Sequence, residues 1–279
     1  MLMKTDKNYK IKVLEWGPLL GPECSWSFGV DKLMIKEGFQ AVTFSYLIEG
    51  DNIPLIIVDT GIKENQPNIM TEKLGMTWKP GPENSIDFQL KKWGYTKKDV
   101  KIILHTHLHI DHSGNDYQFP NAKIIMPRKE LAWAVSGMQM GQYPQELISY
   151  LVEQVYVPGK IRFLDMDAEI APGILCEMTD GHTPGSMNVK VQTKKGLAYI
   201  CGDIIYHFEM QTENLAFVPD VKGQTEMGAG IESFGDWPTG NYCDLLKARC
   251  WVQKVMREAD FVLPIHTPEV LTKYGHEIG

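Results

Sequence analysis

The stretch HTHLHIDHSGN, residues 105 to 115, sets four histidines and an aspartate within eight consecutive positions, and the whole chain has only eight histidines. A lone histidine on a strand is ordinarily a satisfied surface or core residue. Four beside a carboxylate are not explained that way. Crowded imidazoles repel when protonated and are costly to desolvate without a compensating cation. Imidazole nitrogen and carboxylate oxygen, with no thiolate among them, suit zinc and also manganese or iron. His107 and His109 alternate, so an extended backbone projects both to one side, where they can chelate one ion. Asp111 and His112 are adjacent and therefore expected to diverge. One ion is poorly placed to use all four, and two neighbouring ions fit better. His105 falls one step before this pattern and is expected to be structural, or to support the ligands from behind.

Working outward, Val100 to Leu104 reads as a strand that delivers the chain into the cluster. Upstream, residues 41–48 (AVTFSYLI) and 53–58 (IPLIIV) read as paired strands joined by the turn Glu49-Gly50-Asp51-Asn52, the second ending at Asp59-Thr60-Gly61. A loop follows from Ile62 to Pro82, long enough to suggest a functional lid. The spacing of Ile86, Leu90 and Trp93, with Ser85 as N-cap, predicts a helix over 85–93. Downstream, strands are expected at 122–126, 161–164, 173–179, 187–193, 197–202 and 261–265. Helices are expected at about 128–136, 144–154 and 242–258. Strands and helices alternate without a clean linker, which indicates one layered α/β domain spanning residues 1–279. No G-x-G-x-x-G or Walker-type loop supports nucleotide chemistry. The roles of the loops 17–40, 62–82 and 208–240 are left open.

A dinuclear site needs further ligands, and three later residues offer them from strand ends. His182 lies in TDGHTPG, Asp203 closes LAYICGD, and His266 ends FVLPIH. Their shared placement after buried strands favours joint recruitment over three separate structural roles.

Composition narrows the class. Among 279 residues, 43% are hydrophobic and 23% charged, ordinary for a globular protein with a sizeable core. A net charge of −7 disfavours polyanionic partners, so no nucleic acid is expected. Five cysteines (Cys24, Cys176, Cys201, Cys243 and Cys250) form no C-x-x-C pair and read as free, buried or half-buried thiols. No apolar run reaches the roughly 18 residues of a membrane span, and the start MLMKTDKNYK has no signal-peptide core. A cytoplasmic protein is expected, with a secreted enzyme matured before this numbering left open.

The pattern His107-x-His109-x-Asp111-His112, followed by His182, Asp203 and His266, resembles the metallo-β-lactamase superfamily of hydrolases. The resemblance covers nearly the whole chain, including the Asp59-Thr60-Gly61 turn. It implies a four-layer αβ/βα sandwich with two metals at one edge. It also implies that His107, His109 and His182 hold the first metal, Asp111, His112 and His266 the second, and that Asp203 bridges them. Asp59 would stand behind these ligands and steady the metal loop. The cofactors would be two zinc ions, with manganese or iron as alternatives. A flavodiiron protein would carry glutamate where this chain has His109, so hydrolysis is favoured over redox chemistry.

In such a site two ions roughly 3.5–4 Å apart share a hydroxide that attacks the carbonyl, and Asp111 passes a proton to the leaving group. Tyr206, three positions after Asp203, is similar to a tyrosine of the N-acyl-homoserine lactonase branch that helps hold the developing oxyanion. The chain thus looks like a lactonase of the quorum-quenching kind, acting on a small ester or lactone, with room left for a homodimer. The aromatics Trp26, Phe28, Phe217, Phe234 and Trp237 would line an apolar pocket. Three departures bear on the acyl-homoserine substrate more than on the chemistry. Asp180 replaces a proline, Ser186 a histidine, and Thr267 an aspartate. The alternative is a glyoxalase II-like thioesterase, although the tail offers only Lys273 for an anionic glutathione. A phosphodiesterase or nuclease of the superfamily would need a basic groove or an inserted domain, and a true β-lactamase an export signal. A binding protein that had lost catalysis would be marked by missing ligands.

Overall fold

In the computed structural model, which describes residues 8–20, 41–138, 141–205, 208 and 244–279, strands with apolar side chains on both faces build the centre of the fold. Strands β1 (Lys10–Leu20), β2 (Ala41–Glu49), β3 (Leu55–Val58), β4 (Thr77–Trp78), β5 (Val100–Leu104), β6 (Lys123–Pro127) and β7 (Ile161–Leu164) join the C-terminal β13 (Glu277–Ile278) in one mixed sheet. Its order is β13-β1-β2-β3-β5-β6-β7, with β4 paired to β1. A second sheet contains β8 (Ala168–Ala171), β9 (Ile174–Met178), β10 (Met187–Thr193), β11 (Gly196–Ile200) and β12 (Phe261–Leu263), in the order β12-β11-β10-β9-β8.

Period-2 alternation assigns each face. Tyr46 and Ile48 of β2, Ile56 and Val58 of β3, and Leu104 of β5 point toward Val189, Val191, Ala198 and Ile200 of the second sheet. Leu47, Ile57 and Ile103 point the other way, onto helices α2 (Ile86–Lys92), α3 (Arg128–Ala134) and α4 (Gln145–Val155). Each such fully buried side chain is worth about 1.5–3 kcal/mol of transfer free energy. The second sheet turns its polar face to helix α5 (Leu245–Glu258). There Lys254 reaches Glu177 at 2.6 Å, and Lys190 reaches Glu258 at 3.2 Å. The result is helix, sheet, sheet, helix, the sandwich the resemblance implied. No helix among the described residues is long and apolar enough to cross a membrane.

Several expectations need correction. β1 is the second sheet neighbour of β2, yet its sequence KIKVLEWGPLL carries Gly-Pro and reads poorly as a strand. A register shift between Glu15 and Pro18, with Gly17 at φ 94°, absorbs the break. The segment 62–82 is no structureless loop, since it contains helix α1 (Ile69–Leu74) and β4, which pack Ile69, Met70 and Trp78 into a small core. Strand β8 escaped notice because only four residues form it. The chain does not end with the strand at 261–265. Pro264 stops β12 at Leu263, and helix α6 (Glu269–Tyr274) and β13 follow. Cys250 is exposed, while Cys176 and Cys201 are buried, and all three are free. Cys24 and Cys243, the pocket aromatics and most of the loops 17–40 and 208–240 lie outside the described residues.

Gly114 marks where the histidine loop seats on the turn after β3. Its N–H donates to the Gly61 carbonyl at 2.8 Å, and a Cβ there would lie 2.4 Å from Lys63 N and 2.5 Å from Gly61 O. Both obstacles are backbone and cannot swing aside. Gly114→Ala is expected to lower stability by about 1–3 kcal/mol, the usual cost of overpacking, read as a lower urea midpoint at unchanged slope.

Candidate metal centre

The parallel strands β3 and β5 end side by side, tied by the Asp59 N–H to the Leu104 carbonyl at 2.9 Å. The chain then leaves both strand ends as loops, and the edge of the sheet becomes a platform for polar side chains. Asp59 turns back at φ 58°, a left-handed backbone that aspartate tolerates better than most residues. Its carboxylate accepts from Thr106 N–H at 2.8 Å and Thr106 Oγ1 at 2.6 Å, and it meets His112 Nδ1 at 2.9 Å. With Nδ1 engaged, His112 presents Nε2 to the site. Burial opposes ionisation of Asp59, but hydrogen bonds from His105 and His112 hold its carboxyl below the usual range.

Two groups of buried side chains converge there, each with donor atoms within 4.8 Å of one another: His107, His109, His182 and Asp203, and then Asp111, His112 and His266. His109 Nδ1 lies 3.1 Å from His182 Nε2. Asp203 Oδ2 lies 3.5 Å from His182 Nε2, 3.8 Å from His107 Nε2 and 3.2 Å from His266 Nε2, while Oδ1 is 3.2 Å from His112 Nε2. Asp111 touches both of its partners, at 3.7 Å to His112 Nε2 and 3.4 Å to His266 Nε2. The expectation that the adjacent Asp111 and His112 diverge is wrong. They occupy a turn rather than an extended strand, and the turn aims both at one point. Asp203 stands not on a strand but in the short turn Gly202–Ile204 after β11. His266 is oriented by the Val42 carbonyl, 2.8 Å from its Nδ1.

The protonation pattern of the first group suits a cation. Burial, reinforced by neighbouring imidazoles, drives His107 and His109 well below their ordinary pKa, and burial brings His182 down to about 4. These rings are neutral and have lone pairs to offer. Burial also disfavours charge on His112 and His266, but Asp203 and Asp111 outweigh it and raise both. Asp203 resists burial through the surrounding histidines and stays ionised. The fit is supported by Nε2 of His107 and of His109, both buried without a hydrogen-bond partner among the described residues. A buried nitrogen of that kind ordinarily has a partner.

His105 does not join either group. Its Nε2 meets Asp116 Oδ2 at 2.9 Å, and its Nδ1 lies 3.4 Å from Asp59. Burial opposes its charge, yet Asp116 and Asp59 raise its pKa to about 9. Asp116 in turn accepts from Thr60 Oγ1 at 2.8 Å, and Asn115 Nδ2 donates to the Thr60 carbonyl at 2.8 Å. Asp116, Thr60, Asn115, Glu130 and Tyr143 are supports that sequence reading passed over, since a polar residue in a loop or helix shows its burial only in three dimensions. The departures around His182 have physical content. Asp180 sits at φ 52°, which proline, locked near −65°, could not adopt. Ser186 Oγ ties the turn by donating to the Thr183 carbonyl at 3.0 Å and accepting from Gly181 N–H at 3.2 Å. Tyr206 lies outside the described residues.

The model of the metallo-beta-lactamase superfamily matches residues 39–238, a span that contains six of the seven grouped side chains. The chain belongs to that superfamily. Among its relatives is an N-acyl homoserine lactonase of Bacillus cereus, 31% identical over 179 residues that make up 62% of this chain and 67% of that protein. A second, from Bacillus sp, is 33% identical over 158 residues, 54% of this chain and 58% of that one. The fold is similar to an N-acyl homoserine lactone hydrolase with the product N-hexanoyl-L-homoserine at its catalytic metal center, with TM-score 0.68 and 22% identity over 95% of each chain. It is also similar to a dizinc quorum-quenching lactonase in complex with a product, with TM-score 0.64 and 18% identity over 96% of this chain and 90% of that one.

Asp59→Asn keeps the size of the side chain but turns one acceptor oxygen into an N–H donor facing Thr106 or His112. Supports of this kind are worth about 10–100-fold in metal affinity. Zinc titration against a competing chelator is expected to show a loss of that size for Asp59→Asn.

Proposed function

We propose that this chain is a dinuclear metal hydrolase that opens N-acyl homoserine lactones or closely related lactones. The carboxylate of Asp203 carries this reading, because its oxygens lie within 3.2 to 3.8 Å of ring nitrogens from both side-chain groups. Such a carboxylate can be shared by two ions. In this reading His107, His109 and His182 would hold one ion, Asp111, His112 and His266 the other, and Asp203 would be shared between them. An all-nitrogen-and-oxygen donor set suits zinc, the metal of the dizinc structural relative. The lactonase relatives support the substrate class.

Two bound divalent ions supply Lewis acidity, lowering the pKa of a water toward neutrality and polarising the ester carbonyl. The protein's own side chains divide the remaining work. Asp111 keeps 6% exposure beside the fully buried His112, so its carboxylate can meet a leaving oxygen. As the ring C–O bond breaks, Asp111 passes a proton to the departing alkoxide. The attacking water's oxygen ends in the new carboxylate; one of its protons passes through Asp111 to the new hydroxyl, and the other leaves to solvent. Asp59 keeps His112 in one tautomer throughout. Tyr206 donates to the carbonyl oxygen as negative charge builds, a role assigned from its position three residues beyond Asp203. The two sheets share one interior, which supports reading residues 1–279 as a single domain. Free thiols at Cys176, Cys201 and Cys250 support a cytoplasmic location, and the net charge of −7 supports the absence of a nucleic-acid partner.

A substrate panel decides among the enzymes of this fold. Lactones of varied acyl length are expected to be opened faster than glutathione thioesters, β-lactams or bis(4-nitrophenyl) phosphate. Turnover of the phosphodiester without lactone opening would contradict the reading. Tyr206→Phe is expected to slow lactone opening by roughly 10- to 1000-fold, the scale of one lost oxyanion donor. An unchanged rate would remove Tyr206 from the mechanism.

A further inference from the structure

Glu130, in the first turn of α3, is a carboxylate with no exposure at all, and nothing in its local sequence explains why an acid should be buried there. Its surroundings do. Oε1 accepts from Leu108 N–H at 2.9 Å and from Tyr143 O–H at 2.9 Å, and Oε2 accepts from Thr183 Oγ1 at 2.6 Å. The Gly185 N–H is a further donor. A Cβ on Gly185 would lie 2.3 Å from Glu130 N, so only glycine lets the two backbones approach.

Three of these donors adjoin a histidine of the first group, in the chain or by packing. Leu108 lies between His107 and His109 in the chain. Thr183 follows His182 directly. The Tyr143 ring packs edge-on against His109, with centroids 4.8 Å apart. The three histidines come from two loops far apart in sequence, and Glu130 hydrogen-bonds to both loops. Asp59 makes a comparable arrangement behind the second group through His112, and through Thr106, which meets His107 Nδ1 at 3.1 Å, it also reaches the first. Each group thus has a fully buried carboxylate behind it.

We infer that Glu130 is a positioning residue for the first ion, holding the His107–His109 loop and the His182 turn at the spacing that ion needs. The inference rests on the two-metal reading above and gives Glu130 a duty at the first position alone. A carboxylate accepts from all of these groups at once, and its two backbone N–H partners can do nothing but donate. An amide would offer one acceptor oxygen in place of two, setting an N–H against a backbone donor or forcing a hydroxyl to turn and accept. Glu130→Gln should therefore weaken the first position while leaving the second, which Glu130 does not touch.

The test is titration of metal-free protein with zinc, followed by chelator competition and by the nitrogen-15 NMR signals of the histidine rings. Wild type is expected to take up two equivalents. Glu130→Gln should lose about 10–100-fold in affinity for one of them. At one equivalent, His112 and His266 should show the shifts of zinc-bound rings and His107, His109 and His182 should not. Thr183→Val, which removes a single donor and threatens the fold less, should change the same signals in the same order by a smaller factor. A merely structural role would lower the melting temperature without changing which position fills first. Equal weakening of both positions, or of neither, in both variants would overturn the assignment and leave the two-metal reading standing. Fewer than two equivalents in wild type would overturn both.

Discussion

Five histidines and two aspartates are buried against one another at one edge of the sandwich, and their mutual electrostatics is the constraint that the surrounding structure serves. Charge in such a place is costly unless it is paired. The pairing is uneven. Asp203 and Asp111 lie against His112 and His266 and favour their charged forms, while His107, His109 and His182 are pushed toward neutrality. Neutral imidazoles beside an ionised carboxylate are the form in which a cation finds its ligands.

The fold meets this constraint by spending strand ends on it. Parallel pairing of β3 with β5 sets Asp59 beside Thr106, and β11 delivers Asp203 from the second sheet. The Met187 N–H, at the start of β10, donates to the Thr106 carbonyl at 2.8 Å and links the sheets at the site itself. Loops carry the grouped side chains, but strands and buried hydrogen bonds hold the loops. Asp59, Glu130 and Asp116 are acids that never reach solvent, and each satisfies several donors from segments far apart in sequence.

Much of this was legible from the chain, for identifiable reasons. The ligand types are rare and crowded at His107, His109, Asp111 and His112, and the three distant partners sit at Gly- and Pro-marked strand ends. β3 announces itself through an unbroken apolar run, and β2, β5 and β10 through apolar residues interrupted only by single polar positions. β1 did not, because Gly17 and Pro18 interrupt it and only pairing with β2 makes the interruption tolerable. Helix α1 stayed hidden because six residues carry little periodicity. Glu130 and Asp116 were invisible for a deeper reason. Their importance lies in which donors surround them, and no local pattern records that.

The most direct test of the account is X-ray absorption at the zinc edge of the fully loaded protein. A shared Asp203 predicts ligand shells of nitrogen and oxygen only, together with metal–metal scattering at roughly 3.5–4 Å. A sulfur ligand, or two equivalents of zinc with no metal–metal vector, would contradict it.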